Sequence, residues 1–299
     1  MGQRFMFSQP IQAEAEQRQN QIENIGLAVT TCGTAPYVHL HLEVAARMFG
    51  HRGIPLLVCN DGDTADEEIE AINRLCDQYG ADPMAGPHLG HSWGDLRSIQ
   101  WAIEWAEKNR VDVVAKMSRR FIPLTPWRHS LLCLASNNPW CAAFARRHDD
   151  RRDGLFRTDC FAIRVSSWQN EKVKGAFDIW QAKGREFVEA GKPRDVNVEP
   201  LIYSLVKCIG GWQHWDLIGQ NFYRPYEKAM QWRGVLPCHY GDLSRSLGLP
   251  YTDADFESHW LTNEPHEPGV LLKPCVSGDL LILGEDADGN PVVPDKVQL

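Results

Sequence analysis

The stretch VVAKMSRRFIP, residues 113–123, joins an apolar run to a short basic cluster. The run VVAKM has the length and composition of a strand buried in a sheet. Two similar units precede it, IGLAVTTCGT at residues 25–34 and PLLVCNDGDT at residues 55–64. Each unit is an apolar segment followed by polar residues. The sequence therefore predicts three buried strands with polar loops at their carboxyl ends.

Between these strands, apolar residues recur at helical spacing over residues 37–49, 65–79 and 94–108. Strands that alternate with helices of this length predict βαβ units and a mainly parallel sheet flanked by helices. Ligands of such sheets bind in the crevice beyond the carboxyl ends of the strands. The polar segments predicted to lie at that edge are residues 30–34, 60–63 and 116–120.

The pattern changes after residue 123, where the elements become shorter and more mixed. The spacing there predicts helices over 127–135 and 198–209, strands over 140–145 and 154–165, and a terminal hairpin over 280–293 that turns at Asp-Gly-Asn. We expect a polar amino-terminal arm over residues 1–24, a ligand-binding half over 25–125 and a second half over 126–299 that completes a mixed lobe.

The charge of the chain is unevenly distributed. The formal net charge is −8, which argues against a protein that coats nucleic acid, because such proteins need a basic face. Residues 116–152 nevertheless contain eight Lys or Arg and two Asp, so this window is about +6 and the remainder about −14. A local positive patch in an acidic protein favours a small anionic ligand over a long polyanion.

The nine cysteines include no C-x-x-C pair, so neither a zinc knuckle nor a thioredoxin-like motif is indicated. The first residues lack the apolar run of a signal peptide, and no stretch of about 18 apolar residues is present. We therefore expect a cytoplasmic protein without a membrane span. The sequence leaves its oligomeric state open.

The three strand-and-loop units resemble the nucleotide-sugar half of a GT-A-type glycosyltransferase, similar to family 2, over roughly residues 25–165. The resemblance implies a GT-A-like Rossmann-type sheet and transfer of a sugar from a nucleotide donor to a hydroxyl acceptor. In most members the third strand ends in an acidic pair that holds a metal. Here that place offers Lys116, Ser118, Arg119 and Arg120.

The basic cluster suggests how the enzyme would work without a metal. Departure of the diphosphate places negative charge on its oxygens, and Arg forks or a Lys ammonium can stabilise that charge. Because side chains alternate along a strand, Lys116 and Ser118 would share a face and Arg119 would point away. The alternative is a surface-exposed basic edge.

Further donor contacts are implied at the other strand ends and at the start of the third helix. The NDGD segment could instead be a turn in which Asp63 or Thr64 caps a helix. Arg97 could instead be a surface helix residue, and His239 could contact phosphate or simply pack. The residues implied to bind the donor, with a UDP-sugar as the first choice, are Thr30, Thr31, Asn60, Asp61, Asp63, Asp95, Arg97, Lys116, Ser118, Arg119, Arg120 and His239.

Two acidic residues are candidates for the catalytic base. An inverting transferase needs a carboxylate near the acceptor hydroxyl. Asp159 lies in TDCFAIR, which resembles the acceptor-side strand of the family, and Glu199 lies in VNVEPLIY. Glu199 could equally be a first-turn acid that interacts with the helix dipole.

The resulting hypothesis is a metal-independent glycosyltransferase with no required cofactor, which acts on a glycan or other hydroxyl acceptor. The alternative is a GT-A-like module that binds a nucleotide or glycan without turnover. No P-loop motif is present, so a P-loop enzyme is not indicated.

Overall fold

The computed structural model describes residues 24–50, 53–62, 65–119, 121–123, 127–137, 140–145, 158–191, 198–215, 222–223, 240–256, 284–285 and 291–292. Its helices are α1 (Ala35–Phe49), α2 (Asp66–Tyr79), α3 (Gly90–Lys108), α4 (Arg128–Asn137), α5 (Val165–Trp168), α6 (Glu171–Glu189), α7 (Val198–Ile209), α8 (Tyr240–Ser246) and α9 (Asp253–Phe256). Its strands are β1 (Ile25–Thr31), β2 (Leu56–Asn60), β3 (Asp82–Ala85), β4 (Val113–Ser118), β5 (Ile122–Pro123), β6 (Ala142–Ala145), β7 (Cys160–Arg164), β8 (Trp212–Trp215), β9 (Phe222–Tyr223), β10 (Gly284–Glu285) and β11 (Pro291–Val292).

A seven-stranded sheet organises the chain in the order β3-β2-β1-β4-β7-β6-β8. The first four strands in this order are parallel to one another, β7 is antiparallel to both of its neighbours, and β8 is parallel to β6. The predicted α/β fold with a mainly parallel sheet flanked by helices is confirmed. The sheet also continues from strands before residue 125 into strands after it.

Alternation along the central strands divides their side chains between two faces. Leu27, Val58 and Ala115 pack with α1 in one apolar cluster, whereas Ala28, Cys59 and their neighbours pack with α3 in another. These strands are buried on both faces, which explains why they appear as continuous apolar runs in the sequence. Helices α6 and α7 cover β6 and β7 together with α3.

Most predicted elements are confirmed within a few residues of their predicted ends. The helix predicted over 198–209 has those bounds, and the terminal hairpin appears as the antiparallel pair β10–β11, in which Gly284 pairs with Val292. The N-cap of α2 is Ala65, whereas the alternative interpretation of the NDGD segment placed the cap at Asp63 or Thr64. Residues 1–23 and 154–157 lie outside the described residues.

Strands β3 and β8 and helix α6 were not predicted. Strand β3 is a short edge strand with the sequence DPMA, whose proline removes the ordinary strand signal. Helix α6 begins after Asn170, whose side chain accepts a hydrogen bond from Val173 N at 3.0 Å. Val173 and Phe177 are four apart and buried, which is a helical signal, but two glycines dilute the pattern. In the part of the chain that the structure describes, no helix is long and apolar enough to cross a bilayer.

Candidate functional site

Four strand ends meet at one edge of the sheet. Thr31 at the end of β1 pairs with Asn60 at the end of β2, and Thr30 pairs with Ser118 at the end of β4. Because β7 runs in the opposite direction, it begins at this edge, and Ser118 N donates to the carbonyl of Asp159 at 2.7 Å. We call the space above these ends the strand-end crevice. The structure thus brings together residues that the sequence places more than 100 positions apart.

The loop between β1 and α1 is held tightly at the rim of the crevice. Gly33 N donates to Asn60 Oδ1 at 2.8 Å, and the Thr31 hydroxyl donates to the Gly33 carbonyl. Gly33 and Thr34 both have φ of 72°, a left-handed conformation that is unusual for threonine. Thr31 and Asn60, predicted as donor contacts, therefore also set the path of this loop.

Arg119 braces the same loop from the end of β4. Its Nη1 donates to the Cys32 carbonyl at 3.1 Å and to Thr34 Oγ1 at 2.8 Å, and its guanidinium lies 5.3 Å from the centre of the Tyr37 ring. Arg119 is buried, so the alternative of an exposed basic edge is wrong for this residue. The guanidinium places a positive charge directly beneath the loop rim.

Lys116 lies on the opposite face of β4, as the predicted alternation requires. Its ammonium is in an ion pair with Asp95 at the start of α3 and donates to the Thr158 carbonyl at 2.7 Å. The Lys116 side chain is 1% exposed and that of Asp95 is 18% exposed. The pair therefore joins the central strand to the second turn of α3 and to the segment that leads into β7. The exposed-edge alternative is wrong for Lys116 as well.

A second buried ion pair joins Asp61, just after β2, to Arg97 of α3. Arg97 Nη2 also donates to the Pro87 carbonyl at 2.5 Å, and His88 Nδ1 lies 3.0 Å from the Asp61 carbonyl. Burial lowers the pKa of Arg97 to about 10, so the guanidinium remains charged at neutral pH. The interpretation of Arg97 as a surface residue is wrong.

Gly94 permits the close approach of α3 to Asp61. A Cβ at position 94 would overlap Asp61 Oδ2. Glycine at this position therefore lets the amino-terminal part of α3 cover the carboxylate, and any larger residue must displace the carboxylate.

His41 supports the crevice from α1, a role that no sequence motif indicated. Its Nε2 lies 3.2 Å from the Ser118 carbonyl and 3.0 Å from the Arg119 carbonyl. Because both partners are acceptors, Nε2 must carry a hydrogen. Burial lowers the pKa of His41 to about 4, against the opposing effect of these two carbonyls, so the ring is neutral at physiological pH. Its position on a buried helix face was the only signal in the sequence.

The two candidate bases have different positions. Asp159 is half-buried in the turn before β7, and its carbonyl is bonded to the end of β4. Glu199 is in the first turn of α7, where the helix-dipole alternative expected it, and its neighbour Val198 packs in the cluster that contains Leu89 and Trp93. Of the remaining predicted residues, Asp63, Arg120 and His239 lie outside the described residues.

Two acidic residues at the crevice are held in ion pairs. The carboxylates of Asp61 and Asp95 are both paired with buried cations, and β4 ends in Ser118 and is followed by Arg119. Within the described ranges, no three His, Cys, Asp or Glu side chains form a metal-holding group.

No protein-family model matches the chain, and no curated protein matches it. Solved structures do show similarity. A galactosyltransferase, LgtC, in complex with donor and acceptor sugar analogues has a TM-score of 0.40 and 11% identity over 63% of this chain and 72% of its own. Mouse xyloside xylosyltransferase 1 in its apo form has a TM-score of 0.38 and 8% identity over 65% and 86%.

A mannosyltransferase from Pyrobaculum calidifontis in complex with GDP-Man and Mn2+ has a TM-score of 0.35 and 11% identity. That match covers 53% of this chain and 52% of the mannosyltransferase, so the chain spans about half of its length.

Proposed function

We propose that the protein is a glycosyltransferase that moves a hexosyl or related sugar from a nucleotide-sugar donor to an acceptor hydroxyl. The observation that carries the proposal is the meeting of four polar strand ends at one edge of the sheet. Three of the four parallel strands, β1, β2 and β4, end there in polar residues, and Asp159 precedes the antiparallel β7 at the same edge. A crevice at such an edge is the ordinary ligand site of an open α/β sheet.

The positions of Lys116 and Arg119 change the predicted diphosphate clamp. Both cations are buried and already bind protein groups, Lys116 through its ammonium and Arg119 through Nη1, so neither side chain is free to enclose a diphosphate. We assign them a supporting role, in which Arg119 holds the β1–α1 loop and adds positive potential beneath it. Backbone N–H groups of that loop are then the groups that we propose to face a bound diphosphate.

Asp159 is the better placed of the two candidate bases. In an inverting transfer, its carboxylate accepts the proton of the acceptor hydroxyl while the hydroxyl oxygen attacks the anomeric carbon. The bond from that carbon to the diphosphate breaks, and the nucleoside diphosphate leaves with the electron pair. The hydrogen bond between Ser118 N and the Asp159 carbonyl fixes the base relative to the donor side.

We propose that this transfer needs no metal, since β4 ends in a serine and is followed by an arginine, where two carboxylates would hold a metal. A UDP-sugar is the first donor to test. The charge on the leaving diphosphate would be balanced by the positive potential of the crevice.

A binding protein without turnover is the second candidate. It is favoured by the ion pair between Asp61 and Arg97, which occupies the carboxylate that follows β2. Such a protein would bind the nucleotide sugar and leave it intact.

Product analysis separates the two candidates. The full chain is incubated with UDP-glucose, GDP-mannose, CMP-sialic acid or dTDP-glucose, each with EDTA or with manganese, and free nucleotide is quantified by chromatography. Release of one nucleotide in EDTA, abolished by Asp159→Asn, supports the metal-independent transferase. A raised melting temperature without release supports the binding protein. Release only with manganese contradicts metal independence, and neither binding nor release contradicts the proposal as a whole.

A further inference from the structure

A polar cleft lies between α3 and α6, and Arg97 contributes to its wall. Its volume is about 420 Å³, which is in the range of small-ligand sites. The residues that line it are Arg97, Gln100, Trp101, Asp178, Gln181 and Arg185.

The α3 wall of the cleft is fixed by contacts outside it. Arg97 is held by Asp61 and by the Pro87 carbonyl, and its guanidinium lies 4.6 Å from the centre of the Trp101 ring. A Cβ at Gly86 would lie 3.0 Å from both Arg97 Nη1 and Trp101 Cη2, so the segment before α3 leaves these side chains little room to move. Trp101 is therefore a preorganised aromatic surface.

The two glutamines connect the walls in one orientation. Gln181 Nε2 donates to Gln100 Oε1 at 3.1 Å, and Gln100 Nε2 donates in turn to Glu104 Oε1 at 2.9 Å. This chain of amides leaves Gln181 Oε1 as an acceptor for a group in the cleft.

Asp178 and Arg185 supply the remaining polar groups. Both are exposed, and neither side chain has a hydrogen bond or ion pair to any residue that the structure describes. They are seven residues apart on α6, which is about 10 Å along a helix. A ligand that contacts both must therefore be extended.

We propose that this cleft binds a neutral oligosaccharide of about two rings. A free carboxylate and a free guanidinium favour a ligand whose hydroxyls both donate and accept, and Trp101 offers an apolar face to a sugar ring. An inorganic or nucleotide phosphate would be repelled by the negative charge of the Asp178 carboxylate. The charge of Arg97 is already balanced by Asp61, so the cleft carries almost no net charge of its own.

The test measures binding of maltose, lactose, cellobiose and mannobiose to the full chain by saturation-transfer NMR, with titration of each disaccharide that responds. The test variant is the double variant that carries both Asp178→Ala and Arg185→Ala. The control is Lys183→Ala, which is also exposed on α6 but lies outside the cleft. All three substitutions are at exposed positions and should leave the fold intact.

We expect a dissociation constant near the millimolar range for at least one disaccharide, weakened about tenfold or more by the double variant and less than about twofold by the control. No response from any disaccharide, an equal response from the double variant, or a preference for inorganic phosphate would overturn the inference. The inference does not depend on sugar transfer. Release of nucleotide that persists in the double variant, together with lost disaccharide binding, would support the cleft as a separate site.

Discussion

Replacement of Lys116 by methionine should destabilise the fold, because it leaves Asp95 without its buried partner. The Lys116 side chain is 1% exposed, and its ammonium bonds both Asp95 and the Thr158 carbonyl. Methionine has a similar volume, so the change removes the charge and two hydrogen bonds and keeps most of the packing.

The magnitude follows from the exposure of the partner that remains. Removal of one member of a buried ion pair costs about 3–5 kcal/mol. Because the Asp95 side chain is 18% exposed and can reach water, we place Lys116→Met at the lower end, at about 3 kcal/mol. Asp95→Ala should cost more, about 4 kcal/mol, because it leaves an ammonium that is almost wholly buried.

A double-mutant cycle separates the interaction from the individual losses. The double variant removes both charges, so its destabilisation should be smaller than the sum of the single variants by about 1–3 kcal/mol. The free energy of unfolding is measured by urea titration followed by circular dichroism. The interaction would be refuted if the destabilisations of the two single variants simply added in the double variant. It would also be refuted if Lys116→Met lowered the free energy of unfolding by less than about 1 kcal/mol.

Three further predictions concern the crevice. Gly94→Ala should weaken nucleotide-sugar binding by about tenfold or more and lower the melting temperature, because the added Cβ overlaps Asp61. Affinities are measured by calorimetric titration, with Gly175→Ala as the control because a Cβ there meets nothing. Equal affinities of the two variants would contradict the prediction. The pKa of His41 is lowered to about 4 in the folded chain. Below about pH 6.5, its ordinary pKa, the imidazole therefore binds a proton in the unfolded chain but not in the folded chain. The free energy of unfolding should therefore fall by about 2 kcal/mol as the pH is lowered from about 7 to 5. His41→Gln keeps a hydrogen-bond donor and should remove that part of the fall. Urea titrations that give identical pH profiles for the original chain and the variant would count against the role of His41. Asp159→Asn should reduce kcat about a hundredfold or more with little change in donor affinity, as measured by single-turnover nucleotide release; unchanged kcat would exclude Asp159 as the base.

The sequence predicted the central sheet well because its signals are local. Strands β1, β2 and β4 are buried on both faces, so each appears as an uninterrupted apolar run, and the helices between them carry apolar residues at regular spacing. The predicted convergence of Thr30, Asn60 and Ser118 followed from the general geometry of parallel sheets. Strand β3 has a proline and exposed residues, so nothing local distinguished it from a loop.

The partners of the charged residues could not be predicted from the sequence. Lys116 and Arg97 find their carboxylates 21 and 36 positions away, through the packing of α3 against the sheet. The role of His41 depends on two carbonyls at the end of β4 that only the tertiary fold brings near. Strand alternation did predict that Lys116 and Arg119 would lie on opposite faces.

The most direct test of the central claim measures where a nucleotide sugar binds. Cys32 is exposed in the β1–α1 loop at the rim of the crevice, and Cys133 and Cys208 are exposed on α4 and α7. Alkylation rates at the three thiols are compared by peptide mass spectrometry in EDTA, with and without saturating UDP-glucose, GDP-mannose, CMP-sialic acid or dTDP-glucose. The account predicts that one donor protects Cys32 selectively and leaves Cys133 and Cys208 unchanged. Alkylation rates that no donor changes at any of the three thiols would contradict the strand-end crevice as the donor site.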